Sequence, residues 1–287
     1  MAEVTVGLLH PGEMGSVVGE CARAGGARVL WVSEGRSSES RERAEGAGLE
    51  DAGTLAVLVS QSDVILSVCP PHAAADLARA VAACRFSGVY VDANAVSPAT
   101  AREIGQIVGR SGATFVDGGI VGSPPRTRGS TRLYLSGSSA ATVASLFKRS
   151  PLEAIVLEGP VGAASALKMA YASYTKGVSA LLMAIRTLAI SEGIDDALLG
   201  EWKRSHPELP ARSESAVRGS AHKAWRFAGE MEEIAATFAG AGLPDGFHRA
   251  AAEIYTRLAG YKDTPEAPSV AEVADMLRKR EARSRKR

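Results

Sequence analysis

The stretch from Val4 to Ser38 constrains the fold of this chain more than any other. A short apolar run, Val4-Thr5-Val6-Gly7-Leu8-Leu9, reads as a buried strand. A tight corner follows, His10-Pro11-Gly12-Glu13-Met14-Gly15, and then a helical pattern through Val17, Val18, Cys21 and Ala22. Gly25-Gly26 closes that helix, and Arg28-Val29-Leu30-Trp31-Val32 supplies a second strand. Strand, glycine corner, helix and strand form the unit that holds a dinucleotide. The corner lets a pyrophosphate approach the backbone, and unpaired N–H groups at the helix start meet its negative charge. Gly12 and Gly15 match the last two glycines of G-x-G-x-x-G, while His10 stands where the first would be. Residues 10–15 are therefore candidate cofactor contacts.

The exit of the second strand carries the choice between cofactors. Ser33 falls where an NAD site places an acid for the ribose hydroxyl, and Glu34 comes one position late. Arg36 with Ser37 and Ser38 suits a 2′-phosphate through charge-assisted bonds. The expectation is NADP, with NAD as the alternative.

The alternation of strand and helix continues. Leu55–Ser60 and Val64–Val68 lead into Cys69-Pro70-Pro71, a loop at a strand's carboxyl end, where open α/β sheets bind ligands. Val89–Asp92 is a further strand, with Asn94 at its exit, and Ser97-Pro98 opens a helix through Ile107. Cys69, Pro70 and Asn94 join the candidate cofactor contacts. Thr114–Asp117 leads into the loop Gly118–Pro125, and Thr131–Gly137 reads as its hairpin partner. Repeated units of this kind predict an α/β fold, a Rossmann-type doubly wound, mostly parallel sheet over residues 1–160.

From Ala163 to Glu192 there is no proline and a wealth of Ala, Leu and Met. A helix there would be roughly 45 Å long and apolar nearly all round, so it must be buried on most sides. Lys168, Lys176 and Arg186 recur along it and argue against a membrane span. Helical patterns at 197–204, 213–241 and 246–259 complete an all-α second domain over residues 161–287, with a homodimer expected through the 162–193 helix. From about 278 the chain is rich in Arg and Lys, which reads as a frayed, solvated tail.

Composition narrows the partners. With 46% hydrophobic and 23% charged residues, 287 residues suffice for two ordinary domains. A formal net charge of +1 argues against nucleic acid as main partner. The three cysteines, Cys21, Cys69 and Cys84, fit no metal spacing. No basic leader precedes the first strand, so a cytoplasmic location with reduced thiols and no metal is expected.

Lys168 is the candidate for chemistry. It lies two turns into an apolar helix, just past a glycine-bearing junction. Desolvation there lowers a lysine's pKa and lets it exchange protons near neutrality. An ammonium also stabilises the alkoxide that hydride transfer creates at a carbonyl. Tyr171 follows one turn on, along the same face.

Four ordered motifs together resemble the β-hydroxyacid dehydrogenase superfamily, which includes 6-phosphogluconate and 3-hydroxyisobutyrate dehydrogenases. Leu9–Gly15 is similar to its G-L-G-x-M-G cofactor loop, and Val91–Asn94 with Ser97-Pro98 to its D-x-S-T-x-S-P segment. Val116–Ser123 resembles its D-A-P-V-S-G-G substrate loop, and Gly159–Lys168 its G-x-G-x-x-x-K catalytic segment. The segments 222–227 and 230–233 resemble a branch with its own C-terminal domain, grouped with 6-phosphogluconate-dehydrogenase-like oxidoreductases.

The resemblance implies Lys168 as general acid/base and the Gly122-Ser123 backbone as a cradle for a substrate carboxylate. Val121 stands where the family uses serine, and Tyr171-Ala172 where it places an orienting asparagine. Val121, Gly122, Ser123, Tyr171, Ala172 and His222 are thus the candidate substrate contacts. Arg126, Arg128, Tyr174 and Trp225 are further candidates, with packing or solvent exposure as the competing role. The expected activity is an NAD(P)-dependent dehydrogenase acting on a small hydroxy acid or related carbonyl compound. The alternatives are imine reduction on the same scaffold and a non-catalytic NAD(P)-binding sensor.

Overall fold

A computed structural model describes residues 3–279; the basic tail lies, from Arg280 on, outside the described residues. The chain divides into two units after Ala170, so Lys168 belongs with the first.

In the first unit the strands are β1 (Thr5–Leu8), β2 (Arg28–Trp31), β3 (Glu50–Asp51) and β4 (Val64–Ser67). They are followed by β5 (Val89–Asp92), β6 (Thr114–Gly122), β7 (Thr131–Ser136) and β8 (Glu153–Val156). They form one sheet in the order β3-β2-β1-β4-β5-β6-β7-β8, with every pair parallel except β6 with β7. The order reverses between β1 and β4, which opens a crevice beyond their carboxyl ends. Helices α1 (Glu13–Ala24), α2 (Ser38–Gly46), α3 (Leu55–Gln61), α4 (Pro71–Ala83), α5 (Pro98–Gly109) and α6 (Ala140–Ser145) connect the strands.

The two-residue period of the strands sorts the core into two layers. Val6, Leu8, Val64, Leu66, Val91 and Val116 pack on the face shared with α1. Leu9, Ile65, Tyr90 and Phe115 pack on the opposite face with residues of α3, α4 and α5. Gly7 would point into that second layer: a Cβ there would lie 2.5 Å from Leu58 Cδ2 and from Ser62 Oγ. Its missing side chain lets α3 close on β1.

Helix α7 (Ala163–Ser191) begins in the first unit and continues into the second. The second unit then holds α8 (Asp195–Ser205), α9 (Leu209–Ser220), α10 (Ala224–Gly240), α11 (Gly246–Arg257) and α12 (Val270–Arg278). The helical pattern expected over 213–241 is broken by a 3-10 turn at Ala221–Lys223. Gly219 and Ser220 are weak helix formers, and the His222 ring is drawn to Glu266 O and Thr264 Oγ1, each 3.2 Å away.

Two of the three cations that punctuate α7, Arg186 and Lys176, are paired inside this unit. Arg186 grips the Asp195 carboxylate at 2.7 and 2.8 Å and donates to Ser213 Oγ at 2.9 Å. Lys176 meets Glu230 at 2.8 Å. Leu182, Trp202 and Ala216 form a small core with Val178, Ile185, Leu198, Leu199 and Leu209. Among the described residues no helix is long and apolar enough to cross a membrane. The expected burial of α7 on most sides is incomplete in the single chain. Tyr171, Tyr174, Leu181 and Leu188 are 49%, 60%, 42% and 61% exposed.

Candidate active site

The corner after β1 has the shape its residues predict. Gly12 is the N-cap of α1, with no side-chain cap on the helix start. A Cβ on Gly12 would meet nothing within 4 Å, so the space above the backbone is open. Gly15 differs: a Cβ there would lie 2.0 Å from the His10 carbonyl oxygen, so the helix packs on its own loop through that glycine. Among the described non-glycine residues only Arg85 has positive φ. His10 therefore replaces the fingerprint's first glycine without backbone strain. Pro11 is buried, Met14 is half-buried and packs on the α1-side core, and Glu13 is exposed in the first turn of α1.

Two arginines fold back onto this loop. Arg36 donates to Leu9 O at 3.1 Å, and Arg43, which sequence reasoning missed, donates to Pro11 O at 3.2 Å. Burial, and after it the Arg36 charge, pulls the His10 imidazole down to about 4, so the ring is neutral at pH 7. His10 Nδ1 and Arg36 Nε are both buried without a hydrogen-bond partner. Ser33 is half-buried, and its carbonyl accepts the Arg36 N–H at 3.1 Å. Ser37 is the N-cap of α2, its hydroxyl accepting from Ser40 N at 3.3 Å.

At the carboxyl ends of β4 and β5, Asn94 is a clamp. Its Oδ1 accepts from Cys69 N at 2.5 Å, and its Nδ2 donates to Ser67 Oγ at 3.0 Å and Asp92 Oδ2 at 2.7 Å. The side chain expected to face a cofactor is thus engaged by the protein and only 2% exposed. Burial, then the Asp92 carboxylate, pushes the Cys69 thiol up to about 12, so it is a protonated, unreactive group. Pro70 caps α4, with Pro71 at its first position.

The start of α7 is built on β6, and the residues responsible were not singled out from sequence. Asp117, fully buried in β6, receives Gly162 N, Ser165 N and Ser136 Oγ on Oδ2, each at 3.0 Å. Its Oδ1 receives Ser165 Oγ at 2.5 Å. Ser136 Oγ in turn accepts from Ala164 N at 3.2 Å. A carboxylate and a hydroxyl from neighbouring strands thus take up N–H groups that a helix start leaves unpaired, at the positive end of its dipole. Next along the strand, a Cβ on Gly119 would lie 2.7 Å from Ala164 O and 2.9 Å from Lys168 Cβ. The bare backbone of Gly119 is what the half-buried Lys168 stem lies against. Gly118 is as close to β5, where its Cβ would meet Asp92 O at 2.9 Å. An acid inside the apolar pattern Thr114-Phe115-Val116-Asp117 was the available signal.

Val121 is buried in β6, while Gly122 and Ser123 are exposed at its end. Gly122 has φ +130°, and a Cβ there would lie 2.3 Å from Ser130 O. Ser123 O accepts from Thr131 Oγ1. Arg126 and Arg128 are exposed. Tyr171, Ala172 and His222 belong to the second unit. There Tyr171 is half-exposed, Ala172 is fully buried, and His222 makes the bonds to the 264–266 segment described above. Trp225 lies under Lys262, whose Nζ is 4.8 Å from its ring centroid. Among the described residues no group of three or more His, Cys, Asp or Glu could hold a metal ion.

The chain matches the model of the NAD-binding domain of 6-phosphogluconate dehydrogenase over residues 5–149, and a domain of unknown function, DUF1932, over 189–258. An uncharacterised 28.5 kDa protein of Methanothermus fervidus is 31% identical over 195 residues, 68% of this chain and 74% of that protein. The solved structure of MTH1747, a conserved protein of unknown function described as similar to 3-hydroxyacid dehydrogenases, is 30% identical. It covers 90% of this chain and 98% of its own, with a TM-score of 0.66. The 3-hydroxyisobutyrate dehydrogenase of Mycobacterium tuberculosis, solved with L-serine, shares the fold at 17% identity, covering 97% of this chain and 100% of its own, with a TM-score of 0.69. An open glycine cradle on an uncapped helix start, carried by the sheet of an NAD-binding domain and followed by a separate helical domain, makes this chain a member of the β-hydroxyacid dehydrogenase superfamily, in a branch with a distinct C-terminal domain.

Proposed function

We propose that the protein is an NADP-preferring oxidoreductase acting on a small hydroxy acid or the corresponding carbonyl compound, with Lys168 as general acid/base. The observation that carries this reading is the seat of Lys168 on Gly119, at the carboxyl half of a strand whose sheet ends in the dinucleotide loop. A nicotinamide cofactor, when bound, supplies the hydride chemistry. The open space at Gly12 would admit its phosphates, and the uncapped first-turn N–H groups of α1 would hold them. Arg36, whose buried Nε lacks an acceptor, and Ser37 would hold a 2′-phosphate. The exposed Gly122-Ser123 backbone would receive the substrate carboxylate, and Lys168 would deliver or remove the proton at the reacting oxygen. Replacing Lys168 with Ala is expected to lower kcat at least 10³-fold while NADPH affinity, followed by fluorescence, changes less than threefold. Unchanged turnover ends the reading. Tight NADPH binding with no turnover of any hydroxy acid by the unaltered protein would favour the sensor alternative, and activity on cyclic imines alone would favour imine reduction.

The apolar stripe Tyr171, Tyr174, Leu181 and Leu188 on α7 supports a homodimer formed through that helix. Leu181→Glu with Leu188→Glu is expected to yield a monomer by light scattering; an unchanged mass would place the interface elsewhere. The three free cysteines support a reducing, cytoplasmic setting.

A further inference from the structure

The second unit contains a cleft of its own, about 330 Å³, between α7, α9, α10 and α11. That volume falls at the lower end of small-molecule pockets, roughly 300–1,000 Å³. Its walls include Thr175, Lys176, Ser179, Arg212, Phe227 and Tyr255. Nothing in the chemistry proposed for Lys168 uses these residues.

Three features distinguish the cleft from a packing gap. Lys176 is nearly buried, its side chain 13% exposed, and pairs at 2.8 Å with Glu230, which is 10% exposed. Its ammonium also lies 4.9 Å from the Phe227 ring centroid. Desolvating such a pair largely cancels its attraction, so an apolar pair would hold the helices as well. Stability alone therefore does not account for a lysine in a cavity wall. The backbone at this lysine is also fixed, because the Tyr255 hydroxyl donates to Lys176 O at 2.8 Å. Burial raises the Tyr255 phenol above its ordinary range, which keeps it a donor.

The third feature is a second cation with a preset direction. Arg212 donates to Tyr174 Oη at 2.9 Å and stacks 5.5 Å from that ring's centroid. A guanidinium held in this way loses little freedom when it takes an oxyanion on its remaining donors. Lys176 and Arg212, both cationic, are the charged residues of the cleft wall, and Glu230 pairs with the first of them. Thr175 and Ser179 add hydroxyls, and Phe227 adds an apolar wall.

We propose that this cleft is a binding site for a small organic anion, whose carboxylate or phosphate group is held by Arg212 and Lys176 and whose carbon body lies against Phe227. The test is calorimetric titration of the full chain at low ionic strength with malonate, with inorganic phosphate and, as a neutral control, with malonamide. Saturable binding of malonate, phosphate or both, and none of malonamide, is expected; which anion saturates tells a carboxylate site from a phosphate site. Arg212→Gln, at an exposed position, should weaken that binding at least tenfold. Lys176→Gln alone would take from Glu230 the cation it pairs with, so the double variant K176Q/E230Q is the partner test, with the same expected loss. Absence of saturation by either anion overturns the proposal. So does wild-type affinity in R212Q, whatever the double variant does.

Discussion

The two units bury charge in opposite ways. In the first, Asp117 has no exposed surface and is held by dipoles: two backbone N–H groups at the start of α7 and two serine hydroxyls. In the second, charge meets charge. Arg186 forks onto Asp195, and Lys176 pairs with Glu230. A carboxylate held by backbone donors fixes a helix start to a strand, because the donors cannot move without the helix. A pair of side chains fixes two helices only as firmly as its two partners persist, and both partners can be exchanged together.

The largest expected effect tests the second strategy. Arg186→Met leaves Asp195 without its cation and Ser213 without its donor, and should destabilise the fold by about 3–5 kcal/mol in denaturant titration. The paired change R186M/D195L should recover most of that loss, since an apolar pair of similar volume serves a helix junction as well. Failure to recover would mean that the fork does more than join helices.

Asp117→Asn tests the first strategy and should cost about 3 kcal/mol, because one carboxylate oxygen becomes an amide facing donors. No single compensating change is available, as two of the four donors are main chain. Turnover should fall beyond what the loss of stability explains, while NADPH affinity holds, since Lys168 and not Gly12 is displaced. Equal loss of both would show that the sheet itself had been disturbed.

The smallest effect sharpens the contrast, because His10 is buried with neither kind of partner on Nδ1. Its imidazole titrates near 4 in the folded chain, against about 6.5 when solvated. Because the folded value is depressed, the stability it contributes is complete above about 6.5 and is lost as pH falls towards 4. His10→Gln cannot titrate, so its melting temperature should fall less between pH 7 and 4.5 than that of the unaltered protein. Parallel curves would show that the ring is solvated.

Much of the first unit is legible from local pattern, since Val6 and Leu8 alternate with Gly7 and Leu9 as the layers demand. The dinucleotide corner is legible for the same reason: its glycines are neighbours in sequence. Other elements carry no such signal. Strand β3 is two residues long, and α2 buries only Ala44, so neither shows a period. Helix α12 is announced by a capping box between Ser269 and Glu272, a local signal that was available but overlooked. The acid in β6 stands out in its apolar run, but its partners at the start of α7 were unreadable for a different reason. Asp117 meets Gly162 and Ser165 across 45 and 48 residues of chain, and no spacing rule links them. The cleft around Lys176 is equally non-local, since it needs Arg212 and Tyr255 brought to one helix.

Gly119 carries a consequence for how such a chain can vary. With no atom beyond Cα on that residue, strand and helix rest directly on one another, and the lysine's height above the sheet is set by what is missing. A methyl group added there would lift the whole helical turn, so position 119 acts as a spacer of zero thickness. Any homologue that fills it must either tilt α7 or carry its lysine at a different height above the sheet.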